Sequence, residues 1–227
     1  MIGVVGGGAG AYHLLGARDG TTSTTSEASR KHADPSAEEG APADRDGASR
    51  EEAYRAGLLA ARRAAPEAYL MASGGIPAPS LGVVDGIRVG PDTAPYWDNA
   101  ERHRDPSGCG ARNALRNSIA RAWLRTLVDA DPDVAYARTR GSLLSPEANA
   151  VTQDLARVMG VLGCSDPASW LTAEEASIVA SLCAEFDGRR PEAEQLGRSV
   201  FRVDGRRVDF GPWISPRGRI SDRLLAK

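Results

Sequence analysis

The chain has 227 residues, of which 41% are hydrophobic and 26% are charged, and its formal net charge at pH 7 is -2. A chain of this length and composition can bury a sizeable core and usually forms one domain or slightly more. The near-neutral charge argues against nucleic-acid binding, which needs a clustered excess of Lys and Arg. No apolar run is long enough to cross a bilayer, so no membrane association is predicted.

The cysteines and histidines predict neither a disulfide framework nor a metal site. No two cysteines have C-x-x-C spacing, and no histidine is spaced with a second metal-ligating residue. The positions concerned are Cys109, Cys164, Cys183, His13, His32 and His103. We therefore expect no metal, no cofactor and a cytoplasmic location.

Residues 1–48 begin like a dinucleotide-binding unit and then depart from it. A short apolar strand leads into Gly6, Gly8 and Ala11, which fit the G-x-G-x-x-G/A pattern that lets backbone amides approach a pyrophosphate. Such a unit needs a second strand that ends in an acidic residue about 20 positions later. A polar run rich in Ser, Thr, Asp and Glu follows instead, and it cannot bury enough apolar surface to fold. We expect 1–48 to be disordered, and dinucleotide binding is the least favoured hypothesis.

Residues 49–187 alternate between predicted helices and strands, which argues for a parallel sheet with right-handed crossovers. Capping boxes at Ser49 and Thr172 mark two helix starts. The helix over 111–128 is expected to bury Leu115, Ile119, Ala122, Trp123 and Leu127. The predicted elements, in chain order, are a helix over 50–64, a strand over 68–72, a strand ending near Val89, a helix over 111–128, a strand over 134–137, a helix beginning at Ser145-Pro146, a strand over 159–163 and a helix after Thr172.

Residues 188–227 have a different character and are assigned to a C-terminal extension. Alternating residues on either side of Asp204-Gly205 predict a β-hairpin over 199–210, because an Asp-Gly pair favours the positive φ angles of a tight turn. The residues that follow it are apolar enough to pack back on the sheet: Phe210, Pro212, Trp213 and Ile214.

Arg88 and Asp92 form the strongest candidate site. The β-branched run that ends at Val89 is stopped by Gly90-Pro91, so both residues are expected at the carboxyl end of a strand, where α/β folds place their chemistry. A carboxylate beside a guanidinium can donate a proton to a leaving oxygen and then take one from water. The alternative is a surface ion pair at a capped strand end. Asp166 is a second candidate for a ligand contact, with a turn-forming role as its alternative.

The residue pattern of this segment resembles the acid/base segment of the α-galactosidases, or melibiases, of glycoside hydrolase clan D, most closely family 36. The pattern is Arg-x-x-x-Asp followed by Trp97, preceded by Val-Asp-x-x-Arg and by the turn Ser73-Gly74-Gly75. The resemblance covers roughly residues 50–187 and continues through Asn113-Ala114-Leu115-Arg116-Asn117, Asp131-Pro132-Asp133, Leu144-Ser145-Pro146-Glu147 and Gly163-Cys164-Ser165-Asp166.

The resemblance implies a fold, a reaction and roles for residues. The fold is about the second half of a (β/α)8 TIM barrel, here over 49–187, and the reaction is the retaining hydrolysis of terminal α-galactosides. Asp92 would be the general acid/base and Arg88 a sugar contact. Ser73, Gly74, Gly75 and Trp97 would line the galactose pocket.

The nucleophile that a retaining glycosidase requires is missing from the pattern. In the family it is an Asp in a Lys-x-Asp segment on an earlier strand, and this sequence has no match; Asp209 follows the acid/base segment and falls on the predicted hairpin. The chain is therefore expected to be a truncated and poorly active form that self-associates through uncovered sheet edges. A non-catalytic carbohydrate-binding or assembly remnant of the same fold is the alternative.

Overall fold

The computed structural model of the chain describes residues 2–5, 47–98 and 108–214. Helices and strands alternate, as the sequence predicts for an α/β protein. In chain order they are strand β1 (Ile2–Val5), helix α1 (Arg50–Ala64), strand β2 (Tyr69–Ser73), short helix α2 (Pro77–Ser80), strand β3 (Gly86–Arg88), helix α3 (Ala111–Ala120), a 3-10 helix (Ala122–Thr126), strand β4 (Asp129–Asp131), helix α4 (Pro146–Met159), a 3-10 turn (Ala168–Trp170), helix α5 (Ala173–Glu185), strands β5 (Ala193–Gly197), β6 (Val200–Val203) and β7 (Arg206–Asp209), and short helix α6 (Gly211–Ile214).

The first sheet has the order β1-β2-β3-β4. Strands β2, β3 and β4 are parallel, and β1 pairs with β2 in the antiparallel sense. In the register of the parallel strands Ser73 is paired with Arg88, and Arg88 with Asp131. The carboxyl ends of three strands therefore meet at one edge of the sheet.

The two faces of this sheet differ in chemistry. On one face Leu70, Ala72 and Ile87 are buried in a cluster with Leu58 of α1. On the other face the Tyr69 hydroxyl donates to the Asp129 carboxylate at 2.8 Å, and Arg88 pairs with Asp131 above them. Because side chains alternate along a strand, the sheet has one apolar face under helix α1 and one polar face.

Three helices begin where the sequence predicts. Ser49 and Thr172 both form capping boxes with the glutamate three residues later, and the Ser145 side chain accepts from the Ala148 N–H just before Pro146. Each such cap satisfies an otherwise unpaired first-turn amide and contributes about 1 kcal/mol.

The helix expected over 111–128 is shorter than predicted. Regular α-helix ends at Ala120 and the chain tightens into the 3-10 helix. Trp123 and Leu127 are 56% and 58% exposed, so the prediction that they are buried was wrong. A 3-10 helix has about three residues per turn, and the α-helical spacing on which that prediction relied therefore no longer describes one face.

The strands expected over 134–137 and 159–163 are also wrong. The strand lies earlier, at Asp129–Asp131, and it ends there because Pro132 has no N–H to donate and Asp133 adopts a φ of 81°. Helix α4 continues to Met159 and ends at Gly160, whose φ is 77°. An isolated parallel bridge between Ala135 and Cys164 joins the segment after β4 to the segment after α4.

The predicted hairpin is confirmed as β6 and β7, with Asp204 and Gly205 at φ 46° and 83°. Strand β5 adds a third antiparallel strand that the sequence analysis missed. Phe201 and Phe210 from this sheet are 1% exposed and share one hydrophobic cluster with residues of α3 and α4. The C-terminal sheet is thus packed into the same core.

Some predicted features fall outside the described residues, namely Gly6, Gly8 and Ala11 of the glycine-rich turn, the polar run to residue 46 and all three histidines. Within the described part of the chain, no helix combines the length and the apolar character that a membrane span requires.

Candidate active site at the carboxyl ends of the parallel strands

Arg88 and Asp92 lie together, as the sequence predicts. Arg88 is the last residue of β3, and its Nη1 is 3.2 Å from Oδ1 of Asp92. The Asp92 side chain is 71% exposed, whereas that of Arg88 is 26% exposed. The carboxylate is therefore accessible to an incoming ligand, while its partner is largely shielded from solvent.

The Arg88 guanidinium binds two further carboxylates. Its Nε is 3.0 Å from Oδ2 of Asp131, and its Nη2 is 2.9 Å from Oδ1 of Asp133. Both aspartate side chains are 8% exposed. The ion pair suggested by the sequence is in fact the outer part of a cluster of one guanidinium and three carboxylates.

From the sequence, Asp131-Pro132-Asp133 stands just before the strand expected over 134–137, and neither aspartate was predicted as a site residue. The signal that could have placed both aspartates in the site was present, because Asp131 ends the alanine-centred strand β4, which neighbours β3 in the parallel sheet, and Asp133 comes two residues later. The carboxyl ends of neighbouring parallel strands meet at one edge. Placing the strand five residues too late removed them from that edge.

Burial shifts the pKa values within this cluster. It raises the pKa of Asp131 and of Asp133, and the charge of Arg88 opposes both shifts. For Arg88, burial acts to lower the pKa, but the charges of Asp131 and Asp133 outweigh it and the net direction is upward. The guanidinium therefore stays charged, and the two buried carboxylates depend on it for compensation.

The turn Ser73-Gly74-Gly75 lies where the sequence predicts, at the carboxyl end of β2 beside Arg88. Gly74 has a φ of 68°, a left-handed conformation that favours glycine. A Cβ on Gly75 would lie 2.7 Å from Cβ of Ala72. At Gly74 and Gly75 the turn therefore has backbone atoms, and no side chains, near Arg88.

Gly74, Gly75 and Arg88 line a cavity of about 520 Å³ that lies between α2 and α3. One wall of the cavity is polar and consists of a chain of hydrogen bonds along α3. Arg121, just after α3, donates to Oδ1 of Asn117, and Asn117 donates to Asn113. Neither Asp92 nor Ser73 belongs to the lining. The cavity thus extends from the glycine turn to α3, and Arg88 both lines it and pairs with Asp92.

Trp97 was predicted to line the sugar pocket, and the structure instead places its side chain in the core. It is 1% exposed, and its ring lies edge-to-face with that of Trp213. Trp97 therefore belongs to the main hydrophobic core and attaches the loop after Asp92 to it.

Asp166 was weighed as a ligand contact or as a turn-forming residue, and the structure gives it a structural role. Its Oδ2 accepts hydrogen bonds from the backbone N–H groups of Ala137 and Arg138, and its Oδ1 is 2.8 Å from Nε of Arg138. The side chain is fully buried. It joins the segment after β4 to the segment after α4 and does not line the cavity beside Arg88.

Near Asp92, the described residues include no unengaged carboxylate that would serve as the nucleophile. Asp131 and Asp133 are buried, and all four of their carboxylate oxygens contact Arg88 or a backbone N–H. Asp209 accepts from the N–H of Gly211 at the end of β7, as expected of a turn residue. Among the described residues no group of His, Cys, Asp and Glu has the arrangement of a metal site.

Parallel strands flanked by helices, with an exposed carboxylate and an arginine at their carboxyl ends, define an α/β fold with a candidate site at one edge of its sheet. No family model matches the chain. Solved structures that it resembles include those of TtGalA, an α-galactosidase from Thermus thermophilus. In complex with p-nitrophenyl α-D-galactopyranoside, that enzyme is 46% identical over 72% of this chain and 34% of its own, with a TM-score of 0.66. In complex with stachyose the values are 49%, 58%, 30% and 0.56.

The resemblance to α-galactosidases that the sequence indicates is therefore confirmed. The matched region corresponds to about a third of the length of the Thermus enzyme. The chain is similar to a part of an α-galactosidase.

Proposed function

We propose that this chain is an α-galactosidase-like glycoside hydrolase that acts on terminal α-galactosides with retention of configuration. The observation that carries the proposal is its 46% identity, over 72% of its length, to an α-galactosidase whose structure contains an aryl α-galactoside. The exposed Asp92 beside the fixed Arg88 supports it.

In this proposal Asp92 protonates the leaving oxygen and then takes a proton from water. Arg88 holds the sugar, and Ser73, Gly74 and Gly75 bring the backbone of the β2 turn close to it. Trp97 supports the loop from the core, in keeping with its burial. These roles are proposed from the sequence resemblance.

We further infer a partial (β/α)8 barrel, corresponding to about its second half. Parallel strands β2, β3 and β4 occur in sequential order. Their polar face carries Tyr69, Arg88 and Asp131 on the side opposite Leu70 and Ile87. In a closed barrel such a face points inward, and the helices form the outer ring.

The retaining reaction needs a second carboxylate about 5 Å from the acid/base group. The sequence has no Lys-x-Asp segment, and the carboxylates beside Arg88 are already engaged. We therefore propose that this chain is a truncated form with poor activity by itself and that another polypeptide supplies the nucleophile. A second copy of the chain, associated through the sheet edges at β1 and β4, is one source of it.

The test is hydrolysis of p-nitrophenyl α-galactoside by the wild-type chain and by Asp92→Asn, with galactose binding measured in parallel by ligand-detected NMR. Asp187→Asn, which changes an exposed aspartate after α5, is the matched control. We expect any nitrophenol release to be lost in Asp92→Asn and kept in Asp187→Asn. Added azide, which attacks a glycosyl intermediate without needing a general base, should restore part of the lost rate.

The outcomes separate the hypotheses. Binding without hydrolysis in all three proteins would favour the non-catalytic carbohydrate-binding alternative for the isolated chain. Neither binding nor hydrolysis by the wild-type chain would contradict the proposed function.

A further inference from the structure

The carboxylate of Asp133 contacts the structure on both sides of Asp92. Its Oδ1 is 2.9 Å from Nη2 of Arg88, and its Oδ2 accepts a hydrogen bond of 2.6 Å from the backbone N–H of Thr93, the residue after Asp92. The side chain is 8% exposed. One buried group therefore fixes both the guanidinium that pairs with Asp92 and the backbone that carries it.

Asp133 is itself held in place. Its N–H donates to Oδ1 of Asp131 at 2.8 Å, and its backbone has a φ of 81°, which a residue other than glycine adopts only when its surroundings compensate. A Cβ on Gly163 would lie 2.8 Å from the Asp133 carbonyl oxygen, so the neighbouring segment packs directly against it.

The distribution of charge in the cluster leaves Asp92 available. Asp131 and Asp133 are buried and bind Nε and Nη2 of Arg88, whereas Asp92 is 71% exposed and only reaches Nη1 at 3.2 Å. The two buried carboxylates thus hold the guanidinium without Asp92. Loss of the Asp133 charge would weaken two contacts at once, the ion pair with Nη2 of Arg88 and the hydrogen bond from the Thr93 N–H.

We propose that Asp133 is a positioning residue of this site, which sets the orientation of Arg88 and the placement of Asp92. The inference rests on the proposed function, because it assigns Asp133 a part in binding and hydrolysing the galactoside. It goes beyond that function in naming a residue that acts through two others rather than on the sugar.

The decisive comparison is between the full-length variants Asp133→Asn and Asp129→Asn. Asp129 begins strand β4, which leads to Asp133, and is half-buried, but it pairs with Tyr69 and Arg190 rather than with Arg88. We expect Asp133→Asn to weaken galactose binding, measured by ligand-detected NMR, by about 10- to 100-fold, which corresponds to one charge-assisted hydrogen bond. Asp129→Asn should bind galactose as the wild-type chain does. Urea unfolding of both variants ensures that only folded protein is compared.

Where turnover is measurable, the leaving group gives a second signature. A misplaced general acid slows the departure of an alcohol more than that of nitrophenolate, which leaves readily without a proton. The kcat of Asp133→Asn should therefore fall further with melibiose than with p-nitrophenyl α-galactoside. A merely destabilised protein would lose both rates in the same proportion.

Exchange of the Thr93 amide hydrogen tests the geometry independently of any sugar. It should be about tenfold faster in Asp133→Asn, since the N–H loses a bond to a charged acceptor. Unchanged Thr93 exchange, or equal galactose affinity in folded Asp133→Asn and Asp129→Asn, overturns the positioning role and leaves the proposed function intact. A wild-type chain that neither binds nor hydrolyses galactosides overturns both.

Discussion

The indole ring of Trp97 packs edge-to-face against that of Trp213, with the ring centroids 5.2 Å apart. Trp97 follows Asp92 by five positions, and Trp213 belongs to α6 at the far end of the described chain. Aromatic pairs in this geometry contribute about 0.5–1.5 kcal/mol beyond their buried area. The contact therefore links the loop of the candidate site to the C-terminal segment.

Replacing Trp213 by alanine is expected to lower the free energy of unfolding by about 2–3 kcal/mol, because it removes this pair and part of the core around it. Trp123→Ala is the matched control, since Trp123 is 56% exposed and surface substitutions change stability by about 0.5 kcal/mol at most. Urea unfolding followed by fluorescence measures both. Similar losses in the two variants would show that α6 does not anchor the loop.

The sequence predicted those parts of the fold that depend on local signals. The caps at Ser49, Ser145 and Thr172 are confirmed because the side chain and the amide that it binds are three residues apart. The Asp204-Gly205 turn is confirmed because it depends on the φ preferences of two adjacent residues. Spacing alone did not reveal where α3 tightens into a 3-10 helix, because that change depends on how Ala122 and Leu124 pack against the rest of the core.

Asp166 is expected to be essential for stability rather than for sugar binding. Asp166→Ala would leave Arg138 as a buried, unpaired charge and free two backbone N–H groups, at a cost of about 3–5 kcal/mol. Asp187→Ala, at an exposed position, should change stability by about 0.5 kcal/mol at most. Thermal unfolding with both variants measures the difference. An Asp166→Ala protein that keeps its stability but loses galactose binding would restore the sugar-contact hypothesis.

Gly163 allows the segment after α4 to approach the carbonyl of Asp133. A Cβ there would lie 2.8 Å from that backbone oxygen, so Gly163→Ala should lower the free energy of unfolding by about 1–3 kcal/mol through overpacking. Gly57 offers the opposite case, since it lies in the middle of α1 and a Cβ added there would have nothing within 4 Å. Gly57→Ala should raise stability by about 0.5–1 kcal/mol. Denaturant midpoints that move in the same direction for both variants would contradict this interpretation.

The candidate site was only partly predictable, for a physical reason. Arg88 and Asp92 are four residues apart, so their contact follows from one strand end. Asp131 and Asp133 reach Arg88 through the pairing of β3 with β4, and that pairing depends on locating a three-residue strand. The burial of Trp97 depends in turn on Trp213, more than a hundred residues away, and no local pattern contains that information.

The ion pair between Arg157 of α4 and Glu185 of α5 should make stability depend on pH. Arg157 binds both carboxylate oxygens, at 2.5 and 2.9 Å, and its hydrogen bonds lower the pKa of Glu185. A carboxylate with a lowered pKa in the folded state stabilises the protein above its unfolded pKa of about 4.3, and this contribution is lost as the pH falls through the folded value. Because the Glu185 side chain is 37% exposed, solvent screening limits the contribution to about 1 kcal/mol or less.

Glu185→Gln should therefore be less stable than the wild-type chain at pH 7, and the two should become equally stable at a pH below both pKa values, where the glutamate is protonated in either state. Glu67→Gln, which neutralises an exposed glutamate between α1 and β2, should show little difference at either pH. Urea unfolding across the pH range measures the free energies. A deficit in Glu185→Gln that persisted at low pH would assign the effect to packing rather than to charge, since protonated glutamate and glutamine are nearly isosteric.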